Sequence, residues 1–224
     1  MNASLTSVRA VIFDLDGTLI DSMEIWQEID EEFFARRGRA VPAGYQERIA
    51  HLGFSECAAV TAAEYLPGER AADLEGEWRA MFREKYTAGA RRFKAGALGF
   101  VRALHAAGYR LGVATASSPE LARHALEAGG VGELFSALAT VGEAGRNKSF
   151  PDVFLHCAAS LGARPAECAV FEDNFTALKT AKAAGMLAVG VYDRASAALH
   201  GQMRAVADAF VETFAEAMQA FGLQ

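Results

Sequence analysis

The chain has 224 residues, a formal charge of −6, 52% hydrophobic residues and three cysteines. That length suits one domain, or one domain carrying a smaller insert, and it buries enough surface to fold without disulfides or a structural metal. The composition excludes disorder, the acidic balance excludes a general nucleic-acid binder, and no apolar run is long enough to span a membrane.

Taken in chain order, short β-branched runs alternate with longer helical patterns. Arg9–Asp14 (RAVIFD) reads as a buried strand. Residues 21–92 then hold no good strand and read as all helix. Ile25, Ile29 and Phe33 recur at i, i+4, i+8, and Gly38 can end that helix. Phe54–Tyr65 and Leu74–Tyr86 follow, parted by Pro67-Gly68, and Ile49–Glu56 reads as a loop-like turn. Ala97–Ala107 carries Leu98, Val101 and Leu104 at helical spacing before Gly108. Arg110–Thr115 (RLGVAT) is the next strand, and Ser118-Pro119 caps a helix over Leu121–Ala128. Ala137–Val141 is a weaker strand, Phe150–Leu161 a helix, and Cys168–Phe171 (CAVF) a strand. Thr176–Ala184 is a helix, and Leu187–Tyr192 (LAVGVY) a last strand.

Such alternation predicts an α/β fold: a Rossmann-like, doubly wound parallel sheet with helices on both faces. The segment 21–92 is too long for a crossover and reads as an inserted all-helical cap. The expected core is therefore residues 1–20 with 93–224. Cys57, Cys157 and Cys168 are odd in number and far apart, which fits a reducing compartment. The first apolar run is short and interrupted by Asp14 and Asp16, so it does not read as a signal peptide. The expectation is a soluble, cytoplasmic chain, monomeric or a small homo-oligomer, with no nucleic-acid or membrane partner.

In doubly wound sheets ligands bind beyond the carboxyl ends of the strands. Those ends here are Asp14-Leu15-Asp16-Gly17-Thr18, Thr115-Ala116-Ser117-Ser118, Gly145-Arg146-Asn147-Lys148 and Glu172-Asp173-Asn174. Asp14, Asp16, Glu172 and Asp173 gathered at one edge repel one another and need a cation; all-oxygen ligation suits Mg²⁺. Hydroxyls and backbone N–H groups leading into a helix make a phosphate cradle, and Lys148 adds a cation for phosphate oxygens.

Val11–Ser22 (VIFDLDGTLIDS) resembles the first motif of the haloacid dehalogenase superfamily. Thr115 stands where the second motif places Thr or Ser. Lys148-Ser149-Phe150-Pro151-Asp152 resembles the third, and Phe171-Glu172-Asp173-Asn174 the fourth. The helical insert resembles the cap of the subgroup containing β-phosphoglucomutase and phosphoglycolate phosphatase. This resemblance implies that Asp14 is a nucleophile forming an aspartyl-phosphate, and that Asp16 is a general acid and then a base. It implies Mg²⁺ held by the Asp14 carboxylate, the Asp16 backbone carbonyl and Asp173, with Glu172 touching the metal or one step behind it. Thr115, the Ala116 N–H and Lys148 would hold the phosphoryl oxygens.

Departures from the pattern include Ser149, Asn174 and Ala177, which remove no catalytic group. Trp26 stands where β-phosphoglucomutase carries a cap histidine, which weakens a mutase reading. Trp26 is expected in the cap core or over the site, and Arg48 and His51 are candidate substrate contacts on the cap turn. The expected function is a Mg²⁺-dependent phosphatase acting on a small phosphorylated metabolite, a sugar phosphate or short organic-acid phosphate. A sugar-phosphate mutase and a non-catalytic phosphate-binding module remain the alternatives.

Overall fold

A computed structural model of the chain describes residues 7–49, 52–88 and 93–223. Strand β1 (Ala10–Phe13) leads into helices α1 (Met23–Ala35), α2 (Tyr45–Ile49), α3 (Phe54–Val60) and α4 (Ala71–Ala88). The chain continues through α5 (Ala97–Ala106), β2 (Arg110–Thr115), α6 (Pro119–Ala128), β3 (Phe135–Thr140), α7 (Val141–Ala144) and α8 (Asp152–Ser160). It closes with β4 (Cys168–Glu172), α9 (Phe175–Ala183), β5 (Leu187–Val191), α10 (His200–Val206), β6 (Ala209–Val211) and α11 (Phe214–Ala220).

The six strands form one sheet of order β3-β2-β1-β4-β5-β6, and every neighbouring pair is parallel. β1 is central, with Ala10 opposite both Arg110 and Cys168. Its side chains are buried on both faces, which is why AVIF carries no polar alternation. Val11 and Phe13 face a cluster shared with Phe100, Leu121 and Phe214 from α5, α6 and α11. Ala10 and Ile12 face the opposite layer, with Val153, Phe154 and Cys157 of α8 and Ala177 of α9. The strand order reverses between β1 and β4, the position at which doubly wound sheets place their ligands.

Local chemistry starts the helices as the sequence suggests. Ser118 Oγ accepts from Leu121 N–H at 3.4 Å with Pro119 in the first turn, and Asn174 Oδ1 accepts from Ala177 N–H at 3.1 Å. A Thr140–Glu143 capping box starts α7 at Val141, so the third strand ends at Thr140 rather than Val141. β6 and the helices around it were not expected.

Between β1 and α5 the described residues hold four helices, and α3 ends in a π-helical turn over Thr61–Tyr65. Ile25, Ile29 and Phe33 are fully buried along α1, as their spacing predicts. α3 begins at Phe54, where the helix expected over Phe54–Tyr65 begins, so the loop-like turn expected over Ile49–Glu56 is shorter: Ile49 ends α2, and Phe54, Ser55 and Glu56 lie in α3. The two connections to the sheet run side by side, with Ile20 bridged to Phe93. Two contacts seat the helices on the sheet's carboxyl edge. Phe54 N–H donates to Ala116 O at 3.1 Å, and Gly53 lies so close to Val141 that a Cβ would fall 2.5 Å from its Cγ2. Among the described residues no helix is long and apolar enough to cross a membrane.

Candidate active site

β1 ends at Phe13, and Asp14 N–H continues the ladder onto Phe171 O at 2.9 Å, fixing Asp14 beside the end of β4. A tight turn follows, closed by Gly17 N–H to Ile20 O at 2.8 Å and Leu19 N–H to Leu15 O at 3.0 Å. Gly17 takes φ +80°, a conformation that disfavours side chains, and its bare Cα lies against the Asp173 carboxylate.

Asp14, Glu172 and Asp173 each offer a carboxylate oxygen within 4.8 Å of the others, and all three are buried. The buried Lys148 ammonium contacts Asp14 Oδ1 and lies 2.8 Å from Glu172 Oε2. Glu172 Oε1 accepts from Asn174 N–H at 3.1 Å, so both of its oxygens are engaged. Thr18 Oγ1 donates to Asp173 Oδ1 at 2.7 Å. Asp14 and Asp173 each keep one oxygen without a hydrogen-bond partner among the described residues.

Burial raises the Asp14 carboxyl well above the usual aspartate value; the Glu172 charge adds to this and Lys148 opposes it. Burial, with Glu172 and Asp193 nearby, pushes Asp173 up to about 7. Burial works against the Lys148 ammonium, yet the Asp14 and Glu172 charges more than offset it and raise Lys148 above the ordinary lysine value. All three shifts mean that the site retains protons, as a pocket with surplus negative charge must. A hard divalent cation would relieve the same surplus, and an all-carboxylate donor set matches one.

Asp16 turns away from this cluster. Its Oδ1 accepts from Ser22 Oγ at 2.5 Å and from Trp26 Nε1 at 3.2 Å, and its Oδ2 accepts from Ser117 Oγ at 2.6 Å. Ser22 and Ser117 are contacts that the sequence reading did not single out. Ser22 closes the quoted first motif, and Ser117 adjoins the serine that caps α6. Thr115, the last residue of β2, is buried, and its Oγ1 accepts from Ser117 N–H at 3.0 Å. That bond leaves the Thr115 hydroxyl proton available to an incoming oxygen. Beyond Ala116 and Ser117 a cavity of about 820 Å³ opens between α3, α4 and the loops after β2 and β3, with Phe54, Arg79, Arg146 and Asn147 on its walls.

The proposed cap contacts fare differently. Trp26 is half-buried, stacked on Phe82 with centroids 4.7 Å apart, and also reaches Asp16; it is both cap packing and a site contact. Arg48 is not brought to the site. It lies on the surface in an ion pair with Glu64 at 2.6 Å, because α2 turns its last residues toward the π-helical turn. His51 lies outside the described residues.

The family model of haloacid dehalogenase-like hydrolases matches residues 8–185. CbbY of Rhodobacter capsulatus is 28% identical over 191 residues, covering 81% of this chain and 84% of that protein. Hexitol phosphatase A of Escherichia coli (strain K12) is 27% identical over 187 residues, covering 82% of each. CbbY of Rhodobacter sphaeroides, solved with phosphate, superimposes with a TM-score of 0.79 at 25% identity, covering 93% of this chain and 96% of that one. A mutant of the same protein holding xylulose-1,5-bisphosphate gives 0.81, with the same identity and coverage.

Proposed function

Because the chain belongs to the haloacid dehalogenase-like hydrolases, we propose that it is a Mg²⁺-dependent phosphatase. Its substrate is a small phosphorylated metabolite, a sugar phosphate or short organic-acid phosphate, hydrolysed through an aspartyl-phosphate. The observation that carries this reading is the buried Asp14 carboxylate at the sheet's switch point, in contact with Lys148 and beside Glu172 and Asp173. The relatives named as phosphatases support it. Residues 21–92 act as a helical cap over a core of 1–20 and 93–224, in a cytoplasmic monomer or small homo-oligomer.

The carboxylates of Asp14 and Asp173 and the backbone carbonyl of Asp16 would hold Mg²⁺. Glu172 stands behind them, committed to Lys148 and the Asn174 N–H. When bound, the ion supplies positive charge to the phosphoryl oxygens and to the crowded carboxylates. The Thr115 hydroxyl, the Ala116 N–H and the Lys148 ammonium bind the transferring group. An Asp14 oxygen then attacks phosphorus as the ester P–O bond breaks, and Asp16 gives its proton to the departing alkoxide. In the second half Asp16 takes a proton from water, the new P–O bond forms, and the Asp14 acyl-phosphate bond breaks. Two of the three Asp16 partners are hydroxyls that can either donate or accept, so the arrangement suits both protonation states. Phosphoryl transfer asks for positioning and charge more than for covalent invention, and these residues supply both.

The test is release of inorganic phosphate from a panel of phosphomonoesters, with and without Mg²⁺, by wild type and Asp14→Asn. Metal-dependent release lost in Asp14→Asn is expected. No release from any ester would overturn the phosphatase reading in favour of isomerisation, assayed with β-glucose 1-phosphate and a bisphosphate primer, or of simple ligand binding.

A further inference from the structure

The three buried acids of the site are not served alike. Lys148 contacts Asp14 and Glu172, whereas Asp173 has only the Thr18 hydroxyl as a hydrogen-bond partner among the described residues. A second lysine stands nearby, in a pair the mechanism does not use. The Lys94 ammonium lies 2.9 Å from Asp193 Oδ2 and donates to Tyr192 O at 2.6 Å. We propose that Lys94 and Asp193 form a charge pair that sets the Mg²⁺ affinity of the site, acting through Asp173 without touching the ion.

The sheet order places the pair. β4 lies between β1 and β5, and Asp173 follows β4 directly. Lys94 N–H donates to Leu19 O at 2.9 Å, in the turn after β1, while its ammonium reaches the two residues that follow β5. This one residue thus spans the end of β4, held on both flanks of Asp173. Asp193 is 3% exposed, and its Oδ1 accepts from Ala195 N–H at 2.8 Å, so its charge is fixed in place and little screened. No hydrogen bond joins Lys94 or Asp193 to Asp173 among the described residues, which leaves charge as the coupling. Beyond burial and Glu172, Asp193 raises the Asp173 carboxyl and Lys94 lowers it. A divalent cation beside that carboxylate feels the same two charges: Asp193 attracts it and Lys94 repels it.

This inference rests on the Mg²⁺ site of the proposed function. Its test is Mg²⁺ binding to the full chain without substrate, measured by calorimetry at fixed pH and ionic strength. Asp193→Asn keeps the side chain's shape and an acceptor for Ala195 N–H but leaves the Lys94 charge unopposed, so Kd should rise about 3- to 10-fold. Lys94→Met leaves the Asp193 charge unopposed instead, and Kd should fall by a similar factor. The double variant, Lys94→Met with Asp193→Asn, should return to within about twofold of wild type.

A pair that merely ties the chain to the sheet would weaken Mg²⁺ binding in both single variants. That result, or an unchanged Kd in Asp193→Asn, would overturn the proposal while leaving the metal site intact. Should Lys94→Met fail to fold, the double variant is compared with Asp193→Asn, because the added Lys94→Met must recover the affinity that Asp193→Asn loses. A wild type that binds no Mg²⁺ would instead overturn the metal site, and this inference with it.

Discussion

Gly17 and Asp173 meet so closely that a Cβ on Gly17 would lie 2.3 Å from Asp173 Oδ2 and 2.8 Å from its Cγ. The turn after β1 therefore shapes the carboxylate at the end of β4, although the two are far apart in sequence. Gly17→Ala should displace Asp173 and also strain a backbone at φ +80°. The Mg²⁺ concentration for half-maximal activity is expected to rise about 10- to 100-fold. A Mg²⁺ titration of phosphate release measures this, and an unchanged half-saturation would remove Asp173 from the metal site.

Lys148 is the cation nearest the buried acids. Lys148→Met would leave Asp14 and Glu172 facing each other without compensation. Loss of one partner of a buried pair costs about 3–5 kcal/mol, so the metal-free variant should unfold at clearly lower denaturant. Saturating Mg²⁺ should restore part of the loss but little of the activity, because the phosphoryl oxygens lose a donor.

Stability should also depend on pH in an unusual direction. Asp173, pushed up to about 7 by burial, and Asp14, raised for the same reason, bind protons more tightly folded than unfolded. Asp30 on α1 has the same sign: burial pushes it to about 7, and a hydrogen bond from Gln46 opposes this only partly. Such groups stabilise the fold fully below the ordinary value of 3.8, and that contribution is lost as pH rises through about 7. Without Mg²⁺ the denaturation midpoint should fall between about pH 4 and pH 8, and saturating Mg²⁺ should flatten the fall. Calorimetry in two buffers of different ionisation enthalpy should show protons released on Mg²⁺ binding near pH 6, about where these groups still hold them. A midpoint that rises across this window would contradict the charge balance described for the site.

Arg48→Ala removes only an exposed pair with Glu64. Such pairs contribute about 0–1 kcal/mol, so stability should change by no more than that. KM and kcat should stay within about twofold of wild type across the panel, as for other exposed ion pairs. A larger rise in KM would return Arg48 to the substrate site.

Much of this architecture is legible because a parallel sheet leaves an unmistakable trace. Strands buried on both faces need uninterrupted apolar runs, and AVIF, the LGVA of β2 and LAVGV supply them. Asp14 and Thr115 of the candidate site then stand where the first two of these runs stop. β6 escaped because Ala209–Val211 is a three-residue edge strand, too short for any periodicity. The helix read over Phe54–Tyr65 does begin at Phe54, although its N-cap is Gly53, which offers no side-chain signal. Arg48 illustrates another limit: a charge in a short helix reads the same whether it faces a substrate or, as here, Glu64. Trp26 was ambiguous because an aromatic at helical spacing is equally compatible with packing and contact, and only the direction of its N–H separates the two. Adjacent Ser117 and Ser118 look interchangeable on paper, yet one holds Asp16 and the other caps α6.

The central place of β1 also bears on how the protein is made. This strand emerges from the ribosome ahead of both its neighbours, and Ala10 waits first for Arg110 and then for Cys168. Until β4 has been synthesised, one edge of a fully apolar strand has nothing to pair with, the kind of segment that aggregates or recruits a chaperone. Long-range parallel pairing of this sort also makes for slow folding. The intervening helices can form earlier from local contacts, so the nascent chain would carry a folded helical segment before it has a reactive centre. Asp14 gains its acidic neighbours only when Glu172 and Asp173 arrive, so under the proposed mechanism the order of the strands would keep a half-made chain from premature chemistry.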